Sequence, residues 1–323
     1  MSQKINRREF IGRGAKIGAS VIVGKTVLET LAGGAPALAH GHNAYAGAAA
    51  VPDLAVVNGS DYGAMTAKAV EMLGGMGKFV PKGAKVALLP NVQAKNPGTF
   101  TKPEILRSVI RMCKAAGASE IACLSLLTQA HWDGSGLAAV VKEEGISLTL
   151  VPGKDPAQFK AVAVPGGEAL KEARIMNELA KYDLYINMPV TKDHAGNKFT
   201  GTLKNHMGLN GNNRDFHKPN WKTDPADIDH LETCIVDLNM VLKPALNIVD
   251  ATEIITTNGP MGPGNLAKPQ KIVAGLDRVA IDAYCARNIL GLNPGEIVCI
   301  RKAAERKLGQ IDPAKVKIEE VRV

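Results

Sequence analysis

The chain has 323 residues, of which 46% are hydrophobic, 22% charged and 4% aromatic, a globular composition that excludes disorder, collagen and coiled coil. Its formal charge is +8, but residues 1–46 hold six bases and two acids, so the remainder carries a mild +4 without a basic run. Nucleic acid is therefore not an expected partner.

Asn6-Arg7-Arg8-Glu9-Phe10-Ile11-Gly12 precedes a weakly apolar stretch, Ile17–Gly24, which Lys25 interrupts before Thr26–Leu38 resumes it. A bilayer span needs about 20 apolar residues, and Lys25 and Glu29 stand where its middle would fall, so no stable transmembrane anchor is expected. The segment resembles a twin-arginine signal in both arginines and the phenylalanine, while Asn6, Ile11 and Gly12 depart from that pattern. The resemblance implies the twin-arginine translocation machinery as a partner, export in the folded state, and a periplasmic or secreted destination. Small residues at Ala37-Leu38-Ala39, Ala44-Tyr45-Ala46 and Ala48-Ala49-Ala50 offer three cleavage sites, so residues 1–50 read as signal and processing linker. The competing reading, a basic amphipathic helix of the fold, lacks a regular apolar stripe through Gly12–Gly34.

From Asp53 onward, short apolar runs alternate with helix-period segments. Strands are expected at Leu54–Val57, Lys85–Leu89, Glu120–Leu124, Ser147–Val151, Leu184–Met188, Leu246–Val249 and Lys271–Ala274, with a last one within Lys315–Val321. Helices are expected at Ala64–Leu73, Lys102–Ala116, Leu137–Glu144, Glu168–Lys181 and Asp277–Leu290. Thr101, Asp227 and Asp277 read as N-caps, Pro103 as a first-turn proline and Gly117 as a left-handed C-cap. Alternation of this kind predicts an α/β fold over residues 51–323, a mostly parallel sheet with helices on both faces. An irregular insertion at 190–226, rich in Lys, Asn, Gly, His and Pro, interrupts the rhythm, and a division into two lobes would fall near residue 190. Cys113, Cys123, Cys234, Cys285 and Cys299 are scattered, mostly in apolar stretches and without Cys-x-x-Cys, so there is no iron-sulfur motif and they read as buried small hydrophobes.

Ligands of open parallel sheets bind at the carboxyl ends of the strands, and unusual polar residues follow several strands here. Asn91 comes after Lys85–Leu89, Thr128 and His131 after Glu120–Leu124, Lys192 and His194 after Leu184–Met188, and Asp250 after Leu246–Val249, with Asn258-Gly-Pro-Met-Gly-Pro-Gly264 close behind. On extended backbone Lys192 and His194 share a face, an arrangement suited to an anion, an enolate-like oxygen, or a metal held by the histidine. A solvated loop explains one Lys-x-His equally, but Lys204-Asn205-His206 adds donors interleaved with apolar residues. A divalent metal, if one is the cofactor, would be held by His194, His217 and Asp250, with His206 and His230 as other imidazoles in the region, although no compact His-x-x-x-His spacing occurs. Leu73-Gly74-Gly75-Met76-Gly77-Lys78 lacks the Walker ending and reads as a helix cap and turn.

At these residues the chain resembles the DUF362 family of α/β proteins, some of them fused to ferredoxin modules. The landmarks are Lys68–Met76, Leu89-Pro90-Asn91, Thr101-Lys-Pro103-Glu104, Ala115–Ala118, Lys192-Asp-His194, Leu203-Lys-Asn205, Val236-Asp237-Leu238, Val249-Asp250, Asn258-Gly-Pro260 and Val279–Asp282. Leu89 stands where the family commonly has lysine, and no cysteine block follows Pro294, so the electron-transfer role of fused relatives does not carry over. The expected function is an enzyme for a small anionic or carbonyl compound. Lys192 and His194 would be its electrostatic and acid/base groups, and Asn91, Lys204, Asn205, Asp250 and Asn258 would hold the small-molecule ligand. The alternatives are an exported binding protein for a small molecule or metal, using the same crevice, and an accessory subunit of an exported redox enzyme.

Overall fold

A computed structural model describes residues 51–211 and 213–323. The signal assigned to residues 1–50 lies outside the described residues. In chain order the elements are β1 (Leu54–Asn58), α1 (Tyr62–Met72), β2 (Lys85–Pro90), α2 (Pro103–Ala115), β3 (Glu120–Ser125), α3 (Gln129–Gly134), α4 (Leu137–Glu143) and β4 (Ser147–Leu150). There follow β5 (Phe159–Ala163), β6 (Glu172–Met176), β7 (Leu184–Met188), α5 (Thr202–Asn205), α6 (Asn213–Phe216), α7 (Pro225–Val241) and β8 (Leu246–Ala251). The last are β9 (Ile254–Ile255), β10 (Leu266–Ala267), β11 (Lys271–Gly275), α8 (Arg278–Asn288), α9 (Val298–Glu305) and β12 (Ile318–Arg322).

An eight-stranded sheet runs in the order β12-β1-β11-β8-β7-β2-β3-β4, and each of its strands contains or overlaps one of the eight apolar runs read as strands. The sheet is mostly parallel, as expected; β11 alone is antiparallel to both its neighbours, β1 and β8. Its direction follows from the connection: β8 leaves the sheet at Ala251, the chain makes the small β9–β10 hairpin, and β11 re-enters from the same edge. Strands from both sides of residue 190 pair in this one sheet, with β7 beside β8 in parallel.

The central strands are buried on both faces, which is why their sequences read as continuous apolar runs. On one face Ala55, Val57, Leu88 and Ile248 pack against Met65 and Val70 of α1, Ile105 and Val109 of α2 and Val140 of α4. On the other, Leu54, Val56, Leu89 and Val249 pack against Leu231 and Leu238 of α7, Ile281 and Cys285 of α8 and Ile300 of α9. All five cysteines are free and buried.

Three local expectations are corrected. Glu168–Lys181 is not an α-helix, and only Asn177–Lys181 makes a 3-10 turn of helix: Phe159–Ala163 supplies an antiparallel partner that draws Glu172–Met176 into β6, and the Asp237 carboxylate takes the backbone N–H groups of Glu168, Ala169 and Leu170. Tertiary pairing overrides the local period there. Asp227 is not the cap of α7. Asp224 is, accepting from Ala226 and Asp227 N, because Pro225 fits the first helical position and needs no N–H partner. Thr101 does not cap α2 either: the Lys102 N–H donates to Asp250 Oδ2 at 2.9 Å, while the Thr101 hydroxyl donates to Met188 O at 2.7 Å. Asp277 caps α8 as expected, and Gly117 takes the left-handed φ of 88°.

Candidate functional site

From β2 the chain proceeds to β3 and β4 on one side of the sheet, and from β7 to β8 on the other, so the order reverses between β2 and β7. Crevices open at such switch points, at the carboxyl ends of the strands. A cavity of about 470 Å³ lies here, lined by residues that follow β2, β3, β7 and β8. Asn91, Lys192, His194, Lys204, Asn205, His217 and Asn258 all line it. Leu89, Leu126, Met207 and Trp221 give it apolar wall, and its lining contains no aspartate or glutamate.

Lys192 is fully buried. Its Nζ donates to Asn91 Oδ1 at 2.9 Å and to Thr99 O at 2.7 Å, both uncharged acceptors. Burial, and then the charge of Lys204, lower its pKa from 10.5 to about 7. A neutral amine has two N–H bonds, both used by these acceptors, so the lone pair is its remaining valence.

The acceptor facing Lys192 is fixed by a chain of amides. Asn91 Nδ2 donates to Asn205 Oδ1 at 2.9 Å, Asn205 Nδ2 to Asn187 Oδ1 at 2.7 Å, and Asn187 Nδ2 to Asn247 Oδ1 at 3.0 Å. Each donor amide after the first is anchored by a backbone carbonyl: Leu89 O for Asn205, Thr202 O for Asn187, and Gly275 O for Asn247. These anchors fix which end of every amide is oxygen, and the series ends by presenting Asn91 Oδ1 to Lys192. Asn187 and Asn247 are register partners on β7 and β8. Sequence reasoning missed both, as it did Thr99 and Thr200. The available signal was an asparagine inside an otherwise apolar strand, Leu184-Tyr-Ile-Asn187-Met and Leu246-Asn247-Ile-Val.

Lys204 arrives on α5, whose first turn is held by Asp282 of α8 accepting from Thr202 N at 2.6 Å and Leu203 N at 3.0 Å. Burial pushes Asp282 up to about 6, with those same hydrogen bonds opposing the rise. The Lys204 Nζ is buried and has no hydrogen-bond partner among the described residues, and the Thr200 hydroxyl beside the cavity is likewise unpaired. Burial lowers the Lys204 pKa, against the pull of Glu232. Unpaired buried polar groups are rare and call for a ligand or water.

His194 Nδ1 lies 2.6 Å from the Ala195 carbonyl, an acceptor, so the proton sits on Nδ1 and Nε2 keeps its lone pair. Burial, then the Lys204 charge, drive His194 down to about 2, so the ring is neutral. His217 is arranged in the same way, with Nδ1 at 2.7 Å from Asn213 O, and its pKa is also lowered by burial. Both rings flank Trp221, with centroids at 5.4 and 5.0 Å. The loop carrying Asn258 closes one side: Gly259 N donates to Asp193 Oδ2 at 2.8 Å, and a Cβ on Gly259 would stand 1.8 Å from Asp193 O, so only glycine permits this approach.

Asp250 is the exception among the proposed site residues. It is fully buried away from the cavity lining, with its carboxylate on Lys102 N, Thr252 N and the Thr252 hydroxyl. It ties the start of α2 to the end of β8 and neither faces the cavity nor joins His194 and His217. Among the described residues no group of three His, Cys, Asp or Glu is placed to hold a metal ion. His206 is committed to Asn239 Oδ1 and Tyr185 Oη, and His230 to Asp215 O.

Comparison with known proteins places the fold among relatives. Over 250 residues, covering 74% of this chain and 73% of the relative, it is 29% identical to Thylakoid-associated protein sll1697 of Synechocystis. The structure of lactate racemase apoprotein from Thermoanaerobacterium thermosaccharolyticum aligns over 60% of this chain and 49% of that one, with a TM-score of 0.41 and 14% identity. The model of a domain of unknown function, DUF362, matches residues 86–287, from β2 through α8. These residues include both lysines, the amide chain and the strands that place them, and on that match the chain belongs to the DUF362 family.

Proposed function

We propose that this protein is an enzyme that binds a small organic anion in the switch-point cavity and moves a proton on it, with Lys192 as the acid/base group. The observation that carries the reading is electrostatic: Lys192 and Lys204 line a cavity without a carboxylate, and neither makes an ion pair among the described residues. Glu232 pulls on Lys204 without pairing with it, and two buried cations that make no ion pair are costly unless an anion supplies the counter-charge. Lys204 and the Thr200 hydroxyl would take the anionic group, the apolar wall the body, and Asn205 and Asn258 the remaining polar atoms. Lys192, near 7, changes charge in the neutral range as an acid/base catalyst requires. His194, held neutral, would orient the ligand through Nε2.

The test is ligand-dependent melting with glycerate, pyruvate and succinate against neutral sugars, followed by proton NMR in heavy water for loss of C–H signal from any acid that binds. Binding by an acid, lost in Lys204→Met, and exchange lost in Lys192→Met are the expected results. Absence of any shift overturns the reading; binding without exchange overturns its catalytic half and leaves a binding protein.

The Arg7-Arg8-Glu9-Phe10 motif supports export by the twin-arginine route as part of the same proposal, and no described helix is long and apolar enough to cross a membrane. A reporter fused after residue 50 should leave the cytoplasm and stay there when Arg7 and Arg8 are both replaced by lysine.

A further inference from the structure

A second groove, of about 470 Å³, adjoins the cavity, and Leu126 and Asn213 line both. With two lining residues in common, the groove is where the far end of a ligand longer than the first cavity would lie. The groove has the charge of an anion site: Lys154, Arg174 and Arg214 line it against a single acid, Asp215.

The local structure brings these cations to one groove. Arg174 projects from β6, whose backbone is stitched to the next segment by Arg174 N donating to Asn210 Oδ1 at 2.9 Å and Gly211 N donating to Arg174 O at 2.8 Å. That stitching holds α6, carrying Asn213 and Arg214, next to Arg174. The guanidinium itself is poorly used. Its Nη2 stands 3.7 Å from Glu172 on the surface, and its Nε is buried with no hydrogen-bond partner among the described residues. Lys154 and Arg214 show no ion pair there either. A buried guanidinium N–H left unpaired is costly, and a fork-shaped donor in one groove with two other cations matches the oxygens of a phosphate.

We infer that the organic anion of the main cavity is elongated and bears a phosphate monoester at its far end, which the groove binds through Arg174, Arg214 and Lys154. Three cations against one acid balance a dianionic phosphate better than a second carboxylate. The main cavity offers ammonium groups and no guanidinium fork, so Lys204 would take the carboxylate end and the arginine forks of the groove the phosphate. The inference rests on the proposed anion site, and it names the substrate class as a phosphorylated small organic acid.

Titration calorimetry with matched probes of two lengths, glycerate against 3-phosphoglycerate and gluconate against 6-phosphogluconate, decides it. At least one phosphorylated probe should bind tenfold or more tighter than its parent acid. Arg174→Met should remove that advantage while leaving the parent acid within twofold, and so should Arg214→Met, a replacement at an exposed position that the fold tolerates. Lys204→Met should weaken both members of the pair. If the parent acids bind and phosphorylation adds nothing, or if both arginine variants keep the advantage, the groove assignment is wrong while the anion cavity stands. A gain from 2-oxoglutarate over pyruvate, without one from phosphate, overturns the phosphate class. Failure of every probe to bind overturns both.

Discussion

Replacing Lys192 by methionine should stabilise the protein. In the fold the lysine titrates near 7 in place of 10.5 because it is buried and faces Lys204. At about 1.4 kcal/mol for each pH unit, its charged form costs the native state about 5 kcal/mol below pH 7. Methionine removes that cost but strands Thr99 O, which loses its donor, for ~1–3 kcal/mol. Asn91 Oδ1 lines the cavity and can turn to water. The net expected gain at pH 7 is about 2 kcal/mol. The pH dependence is the sharper signature. Between about 7 and 10.5 the folded protein has released this proton while the unfolded chain still holds it. Stability therefore rises with pH through that window, by about 1.4 kcal/mol per unit from this group alone. Urea unfolding from pH 6 to 10 should show the slope in the wild type and a smaller one in Lys192→Met, where only the share of Lys204 remains. A variant less stable than the wild type at pH 7, with the slope intact, would mean that Lys192 has a counter-charge, and the argument for an anion site would fall with it.

Asn205→Ala removes the middle of the amide chain and orphans Leu89 O, Asn187 Oδ1 and Asn91 Nδ2. At ~1–3 kcal/mol for each buried group the loss should exceed about 2 kcal/mol in urea unfolding, and one below ~0.5 kcal/mol would show that water replaces the chain. Gly98→Ala is expected to be costly for a backbone reason, since Gly98 has a φ of 73° and its Cβ would stand 2.6 Å from Ile255 N. A melting point lowered by several degrees, together with a weaker pH slope above 7 because Thr99 O moves off Lys192, is the expected outcome.

The sheet was legible because its strands are buried on both faces, so each reads as an uninterrupted apolar run between polar loops. The antiparallel direction of β11 was not, since nothing in Lys271–Ala274 distinguishes one strand direction from the other; the β9–β10 excursion decides it. Position after strands placed Asn91, Lys192, His194 and Asn258 around one crevice, and the donors interleaved with apolar residues at Lys204-Asn205-His206 placed Lys204 there. Position after strands misled at Asp250, because a residue at a strand end can turn either toward the crevice or toward the helix beside it, and the unpaired start of α2 claims the carboxylate. Asn187 and Asn247 escaped notice for the opposite reason: they lie within strands, where a polar side chain is explained only by partners brought from elsewhere in the chain.

Those partners suggest why the position opposite Lys192 is an amide. An aspartate at 91 would stand where Asn91 Oδ1 now lies, 2.9 Å from Nζ, and would hold the lysine protonated. At an effective dielectric of 20, opposite charges about 4 Å apart attract by about 4 kcal/mol, enough to carry Lys192 back toward its ordinary range. The same carboxylate would meet Asn205 Oδ1 in place of a donor, so the stability gained from the ion pair is partly lost. Asn91→Asp should therefore change overall stability little and abolish much of the rise between pH 7 and 10. Because it adds a negative charge to a cavity that has none, it should also weaken binding of any organic anion by at least about tenfold, roughly 1.4 kcal/mol. The pH series and the calorimetric affinity can be measured on one preparation. If the affinity of the variant equals that of the wild type, the anion does not sense the charge at position 91, and the amide chain is a packing feature of the strands with no bearing on the ligand.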